Sequence, residues 1–273
     1  MTTVGLIHPG AMGASVGAAG THNQHRVLWA GQGRSDDTRE RATRGKLEDC
    51  NSVANLVSES DVILSVCPPH AAEDVASEVI DCGFKGIFVE GNAIAPARSH
   101  GIADRITAAG ARFVDGGIIG GPAWHTEAGT MFYLSGVDAP EIATLFEGSP
   151  LHASVVSDQI GSASALKMVF AAYTKGSTAL LTTILAVAEK EDVRANLEQQ
   201  WGETFTKKTH KQVAGNTAKA WRFASEMEEI AATFAGAGFS DGFHLAAADI
   251  FSQLKDFKDK PATSIEQVLD KLS

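Results

Sequence analysis

The chain of 273 residues is 44% hydrophobic and 21% charged, and its formal net charge at pH 7 is −10. This is an ordinary globular composition, with enough apolar material for one or two buried cores. The acidic balance argues against nucleic acid or an anionic membrane surface as a partner. No apolar stretch has the length of a membrane span, no signal peptide is visible, and the three cysteines form no C-x-x-C pair. We therefore expect a cytoplasmic protein that binds neither nucleic acid nor membrane and has no metal site.

Short apolar strands alternate with helical stretches through the first half of the chain. Strands are predicted at 3–8, 26–30, 61–66, 86–90 and 111–116, and helices at 11–20, 35–45, 70–80 and 95–110. This alternation is typical of an α/β fold with a doubly wound parallel sheet of the Rossmann type. Two further strands, at 129–136 and 152–156, are expected to close this domain.

The pattern changes near residue 161, after which only helical periods are present. We therefore predict two domains, a Rossmann domain at 1–158 and an all-α domain at 159–273. Within the second domain, residues 177–188 are apolar on nearly every face. A helix of this kind needs burial on all sides, so we expect a homodimer formed largely by the helical domain.

The first predicted strand runs into GLIHPGAMG, residues 5–13, which nearly matches the dinucleotide-binding fingerprint G-x-G-x-x-G. Gly10 stands where the backbone must approach the pyrophosphate, and Gly13 where the helix must pack on the strand. His8 replaces the first glycine, and Pro9 makes this possible because a residue before proline favours an extended conformation. The helix that follows presents free N–H groups to a phosphate. The expected cofactor-binding residues of this turn are His8, Pro9, Gly10, Ala11, Met12 and Gly13.

The second strand indicates which cofactor is bound. A site that prefers NAD places an acidic residue about 20 residues past the glycines, where it holds the ribose 2′-hydroxyl. No acidic residue precedes Gly31 at the end of this strand, and Arg34 and Ser35 follow it. A cation and a hydroxyl suit a 2′-phosphate, so we expect NADP(H) rather than NAD.

Five segments resemble, in chain order, motifs of the β-hydroxyacid dehydrogenase group, which includes 3-hydroxyisobutyrate and 6-phosphogluconate dehydrogenases. The segments are GLIHPGAMG, DVILSVCPP (61–69), VEGNAIAP (89–96), DGGIIGGP (115–122) and GSASALKMVFAAYTKG (161–176). Each motif alone is weak evidence for the family, whereas five motifs in the right order are strong evidence. The details are most similar to a branch whose helical domain is called phosphogluconate dehydrogenase-like.

The resemblance implies a function and a set of site residues. Lys167 matches the catalytic lysine of the group, which exchanges a proton with the substrate hydroxyl during hydride transfer. Cys67 and Pro68 match the turn beside the nicotinamide-side ribose, and Asn92 lies in the segment near the nicotinamide and the substrate. Gly120 and Gly121 offer backbone N–H groups to the substrate. The expected enzyme is an NADP(H)-dependent oxidoreductase of carbonyl and alcohol substrates bound in the interdomain cleft.

Departures from the family pattern affect the substrate. The asparagine expected four residues after the lysine is Ala171, and the serine of the S-G-G motif is Ile119. These losses favour a larger or less acidic substrate. Thr174, seven residues after Lys167, returns to the same helix face. We expect the substrate side of the cleft to include Thr174, Trp221 and His244.

Two alternative functions remain open. An imine reductase-like enzyme is one, although imine reductases usually replace the lysine, so Lys167 counts against it. A non-catalytic NADP-binding sensor or structural protein is the other. Ala171 and Ile119 favour this second alternative, and Lys167 disfavours it.

Overall fold

The structure, a computed structural model, describes residues 1–258 and 260–272. The chain divides into two compact units, Met1–Lys167 and Met168–Ser273. The first unit contains a mostly parallel β-sheet with helices, and the second is helical. Within the described residues, no helix combines the length and the apolar character that a membrane crossing requires.

The first unit is built on one eight-stranded sheet with the strand order β3-β2-β1-β4-β5-β6-β7-β8. Its first six strands follow the order of a Rossmann domain. The strands are β1 (Thr3–Leu6), β2 (Arg26–Trp29), β3 (Glu48–Asp49), β4 (Val62–Ser65), β5 (Ile87–Glu90), β6 (Arg112–Ile119), β7 (Met131–Ser135) and β8 (His152–Ser157). The predicted fold class is confirmed.

One edge of the sheet differs from the predicted parallel arrangement, because β7 runs antiparallel to β6. The chain between Ile119 and Met131 contains only a short 3₁₀ turn. A parallel return requires a crossover connection, usually a helix, so this short link brings the chain back antiparallel. A helix then connects β7 to β8, and these two strands are parallel.

Helices connect most of the parallel strands of the first unit. They are α1 (Ala11–His22), α2 (Asp36–Arg44), α3 (Val53–Glu59), α4 (Ala72–Asp81), α5 (Pro96–Ala108) and α6 (Ala139–Thr144). The sequence did not predict β3, α3 or α6. These elements have only two, seven and six residues, which is too few to show a strand or helix period. The start of α3 is nevertheless defined locally, since the Ser52 hydroxyl accepts a hydrogen bond from the Asn55 N–H at 3.2 Å.

The central strands are buried on both faces of the sheet. Every residue of β4 and β5 is buried, as expected for parallel strands covered by helices on both sides. Alternate side chains therefore enter two different cores. Leu64 and Val89 belong to one core, and Ile63 and Phe88 to the other.

The second unit contains most of a long helix, α7 (Ser162–Lys190), whose first residues belong to the first unit. It continues with α8 (Arg194–Trp201), α9 (Glu203–Asn216), α10 (Ala220–Gly236), α11 (Gly242–Gln253) and α12 (Ile265–Leu272). Gly202, at a φ of +76°, separates α8 from α9. The core of this unit includes Phe223 and Phe251, which pack edge to face with ring centroids 5.3 Å apart. The predicted helical region is confirmed.

Candidate functional site

The turn between β1 and α1 has the geometry of a phosphate-binding loop. Gly10 is the N-cap residue of α1, and its N–H bonds to the His8 carbonyl at 2.8 Å. The Arg41 guanidinium supports the turn from α2 by donating to the Pro9 carbonyl at 3.3 Å. Among the described residues, the backbone N–H groups of Ala11, Met12 and Gly13 have no acceptor. These donors are free to bind an anion.

The two retained glycines meet different constraints. A Cβ atom on Gly13 would lie 2.3 Å from the His8 carbonyl oxygen, so only glycine fits this close approach of helix and strand. A Cβ atom on Gly10 would meet no atom within 4 Å. The space in front of Gly10 is therefore open, as a pyrophosphate-binding turn requires.

His8, in the turn after β1, is a largely buried histidine. Burial, and secondarily the charge of Arg34, lowers the pKa of His8 to about 4. The imidazole is therefore neutral at pH 7. Its Nδ1 atom is buried and has no hydrogen-bond partner within the described part of the chain.

A cation and an unexpected carboxylate lie close to the chain that follows β2. Arg34 forms no ion pair within the described residues, and Ser35 is the N-cap residue of α2. Asp49, at the end of β3, accepts the Gly31 N–H at 3.0 Å and lies 3.6 Å from Arg39. An acidic side chain thus lies beside the second strand, although β2 itself contributes none. Sequence reasoning missed Asp49 because a strand of two residues leaves no recognisable pattern.

Asn92 joins the ends of β4 and β5. Its side chain is 2% exposed, its Oδ1 accepts the Cys67 N–H at 2.5 Å, and its Nδ2 donates to the Ser65 hydroxyl at 3.0 Å. The Asn92 amide therefore holds the turn of Cys67 and Pro68 in place, and only part of its donor capacity is left for a ligand. Burial, and secondarily the Glu90 carboxyl group, raises the pKa of the Cys67 thiol to about 12. Cys67 is consequently a neutral thiol rather than a nucleophile.

Glu90 is a buried acid behind this turn. Its Oε1 accepts the Asn92 N–H at 3.0 Å, and its Oε2 has no partner among the described residues. Burial, with a contribution from the neighbouring Asp115, raises the pKa of Glu90 to about 8. The carboxyl group is therefore mostly protonated at pH 7.

Asp115 anchors the start of α7 to the sheet. It is fully buried on β6, opposite Glu90 of β5 in the register. Its carboxylate accepts the N–H of Ser164 at 2.9 Å and the hydroxyl of Ser164 at 2.5 Å. The hydroxyls of Ser99 and Ser135 donate to the same carboxylate at 2.7 and 2.9 Å. Four hydrogen-bond donors therefore satisfy this buried carboxyl group, as burial of a polar group requires.

Lys167 lies directly above β6. A Cβ atom on Gly117 would be 2.9 Å from the Lys167 Cβ and 2.7 Å from the Ala163 carbonyl oxygen. Only glycine at position 117 lets α7 approach the strand this closely. The strands β1, β4, β5 and β6 are parallel, so their carboxyl ends lie at the same edge of the sheet. The dinucleotide turn follows β1 at this edge. Gly117 is near the carboxyl end of β6, so Lys167 lies at the same edge.

Gly120 and Gly121 follow β6 and are exposed. Gly120 has a φ of +130°, a conformation that favours glycine. The Thr130 hydroxyl donates to the Gly121 carbonyl at 2.7 Å, which fixes the loop.

The predicted substrate residues of the helical unit have different environments. Thr174 lines a polar pocket, and its hydroxyl donates to the Ala171 carbonyl at 3.3 Å. Trp221 is 40% exposed, and the Lys258 ammonium group lies 4.5 Å from its ring centre. His244 is buried against the Phe234 ring, with centroids 4.2 Å apart, and burial lowers its pKa. Buried and packed against an aromatic ring, His244 has the environment of a core residue.

Comparison with known proteins gives matches over both units. Residues 3–147 match the family model described as the NAD binding domain of 6-phosphogluconate dehydrogenase. Residues 189–254 match DUF1932, a domain of unknown function. A relative from Methanothermus fervidus, an uncharacterized 28.5 kDa protein in the 7S RNA 5′ region, is 30% identical over 204 residues. That alignment covers 73% of this chain and 78% of the relative.

Two solved structures extend the comparison to the fold. The conserved protein MTH1747 of unknown function, described as structurally similar to 3-hydroxyacid dehydrogenases, is 26% identical with a TM-score of 0.64. The match covers 93% of this chain and 97% of MTH1747. The 3-hydroxyisobutyrate dehydrogenase of Salmonella typhimurium shares the fold over 100% of both chains, at a TM-score of 0.71 and 16% identity. With its NAD-binding domain of the 6-phosphogluconate dehydrogenase type, the chain belongs to the β-hydroxyacid dehydrogenase superfamily.

Proposed function

We propose that this protein is an NADP(H)-dependent oxidoreductase that interconverts a carbonyl compound and its alcohol, with Lys167 as the proton donor and acceptor. The observation that carries the proposal is the contact between α7 and β6. The packing of Lys167 on Gly117 supports the proposal because it brings this residue to the sheet edge that carries the dinucleotide turn.

The residues at this edge suit a dinucleotide. The open space at Gly10 and the free N–H groups of α1 would hold the pyrophosphate, and Cys67 and Pro68 would lie beside the nicotinamide ribose. Arg34, which has no ion pair among the described residues, would hold a 2′-phosphate. The bound nicotinamide supplies or accepts a hydride.

Lys167 has the chemistry that the other half of the reaction requires. Reduction of a carbonyl group leaves an alkoxide oxygen that needs a proton, and an ammonium group supplies it. In the reverse direction the neutral amine accepts the hydroxyl proton. The N–H groups of Gly120 and Gly121 are placed on an exposed loop that can contact the substrate.

The experiment that tests this proposal is NADPH oxidation with a panel of aldehydes, keto acids and imines. Oxidation with a carbonyl compound supports the proposed reaction. Oxidation with imines alone favours the imine reductase-like alternative. Tight NADPH binding with no turnover on any compound favours the non-catalytic sensor. The departures from the family pattern at Ala171 and Ile119 support this alternative.

We also propose that the active form is a homodimer assembled through the helical unit. A groove of about 360 Å³ between α7 and α8 is lined almost entirely by apolar atoms, including those of Leu180, Val187 and Val193. These three side chains are 48%, 54% and 48% exposed. Monomers rarely expose contiguous apolar patches of this kind, so a second copy of this chain is the occupant that we propose.

A further inference from the structure

The segment between β6 and β7, residues 120–130, is attached to the helix that carries the cofactor turn, and we call it the β6–β7 loop. Ala123 of this loop is 2% exposed, and its N–H donates to the Ser15 hydroxyl on α1 at 3.0 Å. The two residues are 108 positions apart in the chain, and the hydrogen bond between them is buried. The loop and the cofactor helix are therefore in direct contact.

Ser15 connects this contact to the first turn of α1. The residue is fully buried, and its hydroxyl donates to the Met12 carbonyl at 2.8 Å. A hydroxyl group has a single proton, so the Ser15 oxygen accepts from Ala123 while its proton is donated to Met12. The two hydrogen bonds therefore run in the same direction, from the β6–β7 loop towards the cofactor turn.

A single peptide group continues this series of hydrogen bonds to the anion-binding end of α1. The Met12 carbonyl and the Gly13 N–H belong to one planar amide, and the Gly13 N–H has no acceptor among the described residues. When the Gly13 N–H donates to a phosphate, the series extends without a break from the Ala123 N–H to that phosphate. Hydrogen bonds linked in this way polarise one another, and each is strengthened by roughly 10–30%.

We propose that Ser15 is a positioning residue that couples occupation of the cofactor turn to the order of the β6–β7 loop. Donation from the Gly13 N–H makes the Met12 carbonyl a stronger acceptor, and the polarised Ser15 hydroxyl in turn binds the Ala123 N–H more strongly. The loop begins with Gly120 and Gly121, so the bound dinucleotide orders the substrate loop before the substrate binds. This last consequence rests on the proposed function.

Hydrogen exchange of the full chain, with and without saturating NADPH, measures this coupling. NMR follows the Ala123 amide, and mass spectrometry of peptic peptides follows residues 120–130 as a whole. We expect NADPH to slow exchange of the Ala123 amide roughly two- to fivefold in the wild type, because a strengthened hydrogen bond opens less often. This comparison needs no substitution, so it tests the proposal even if a variant does not fold.

Ser15→Ala removes the hydroxyl that connects the loop to the turn. Alanine is the most favourable helix residue, so α1 should remain intact. Without NADPH, we expect the Ala123 amide to exchange about tenfold faster than in the wild type, because a buried N–H loses its acceptor. NADPH should still bind this variant but should no longer slow the exchange. Since coupling is reciprocal, NADPH affinity should fall by the same factor of roughly two to five.

Ser58→Ala is the matched control. The Ser58 hydroxyl on α3 also donates to a carbonyl three residues earlier, that of Asn55, at 2.9 Å. Within the described part of the chain, it accepts no N–H from a loop. We expect this variant to show the loop exchange of the wild type and the same response to NADPH. A change as large as that in Ser15→Ala would show that the effect is not specific to Ser15 and would overturn the inference.

The inference is also overturned if NADPH binds the wild type and leaves exchange of the Ala123 amide unchanged. It is overturned as well if NADPH slows this exchange equally in the wild type and in Ser15→Ala, because Ser15 is then a structural anchor alone. NADPH binding is measured on the same samples. Absence of NADPH binding contradicts the proposed function together with the coupling, whereas NADPH oxidation by a protein without the coupling overturns only the role of Ser15.

Discussion

The Asp115 carboxylate accepts hydrogen bonds from both the backbone N–H and the hydroxyl of Ser164, at 2.9 and 2.5 Å. Asp115 lies on β6, and Ser164 lies in the first turn of α7, three residues before Lys167. Since an α-helix has 3.6 residues per turn, less than one turn separates Ser164 from Lys167. This pair therefore holds the turn of α7 that leads to Lys167 against β6.

Replacement of this lysine tests its assignment. Lys167→Ala is expected to retain NADPH affinity and to lower turnover by roughly 10²–10⁴, the usual range for loss of a general acid–base group. Fluorescence titration measures the affinity, and NADPH oxidation measures the turnover. Lys190→Ala, at the exposed end of the same helix, is the control. Full activity of Lys167→Ala on the true substrate would show that another group transfers the proton.

The two glycines of the turn form a matched pair for substitution. Gly10→Ala places a methyl group in open space, so the free energy of unfolding should not change, whereas NADPH affinity should fall because the pyrophosphate needs that space. The larger Gly10→Val should abolish binding. Gly13→Ala places Cβ 2.3 Å from the His8 carbonyl oxygen and should lower the unfolding free energy itself.

His8→Gly should leave NADPH affinity within a few-fold of the wild-type value.

Urea unfolding and NADPH titration of the same variants separate these effects. A Gly10→Ala protein with unchanged NADPH affinity would contradict the position of the pyrophosphate. A Gly13→Ala protein as stable as the wild type would contradict the close packing of α1 on β1.

Arg34 is expected to determine the preference between the two nicotinamide dinucleotides. Arg34→Ala should weaken NADPH binding by roughly 1.5–3 kcal/mol, the cost of losing a charge-assisted hydrogen bond, and should leave NADH binding unchanged. The control is Arg44→Ala, because Arg44 lies at the opposite end of α2. Equal affinities of the wild type for NADPH and NADH would contradict this prediction. In that case Asp49, beside the end of β2, is the residue to test for a contact with the 2′-hydroxyl.

Glu90 is expected to make stability depend on pH. Burial, with Asp115 on β6 as a further cause and Arg98 on α5 as a counteracting charge, raises the pKa of Glu90 from 4.5 to about 8. Between these values the native state binds more protons than the unfolded state, so the free energy of unfolding should fall as pH rises from about 4.5 to about 8. The slope for one proton is about 1.4 kcal/mol per pH unit.

Urea unfolding of the wild type and Glu90→Gln at several pH values measures this contribution as a difference. The subtraction removes the effect of His8, whose lowered pKa acts in the opposite direction below pH 6.5. Glu78→Gln, an exposed substitution on α4, is the control. A stability difference between wild type and Glu90→Gln that is constant with pH would show that Glu90 has an ordinary pKa.

The apolar groove between α7 and α8 should hold two copies of the chain together. Light scattering at micromolar concentration is expected to report a dimer. Val187→Lys should shift the protein towards the monomer, because it places a charge in the proposed contact. The control is Val137→Lys, because Val137 is 82% exposed and lies in the first unit, so this variant should remain dimeric. A monomeric wild-type protein would refute the dimer.

The amino-acid sequence by itself determined the order of the longer strands and helices and the cofactor turn. Apolar runs such as those of β4 and β5, separated by helical periods, predict a parallel sheet because local periodicity reflects burial. Gly10 and Gly13 were recognisable because their roles depend on backbone geometry within a few residues. Lys167 was recognisable because it occupies a fixed position in a sequence motif of the family, and such a match needs no knowledge of the fold.

Only the tertiary structure decided which distant residues meet. Asp49 lies beside Gly31, Asn92 binds Cys67, and Gly117 makes room for Lys167 through contacts between strands and helices far apart in the chain. The ion pair of Lys175 and Glu226 likewise joins α7 to α10. No local period encodes such contacts, because long-range packing selects which side chains become neighbours. The protonation of Glu90 follows from the same cause, since burial and the proximity of Asp115 exist only in the folded chain.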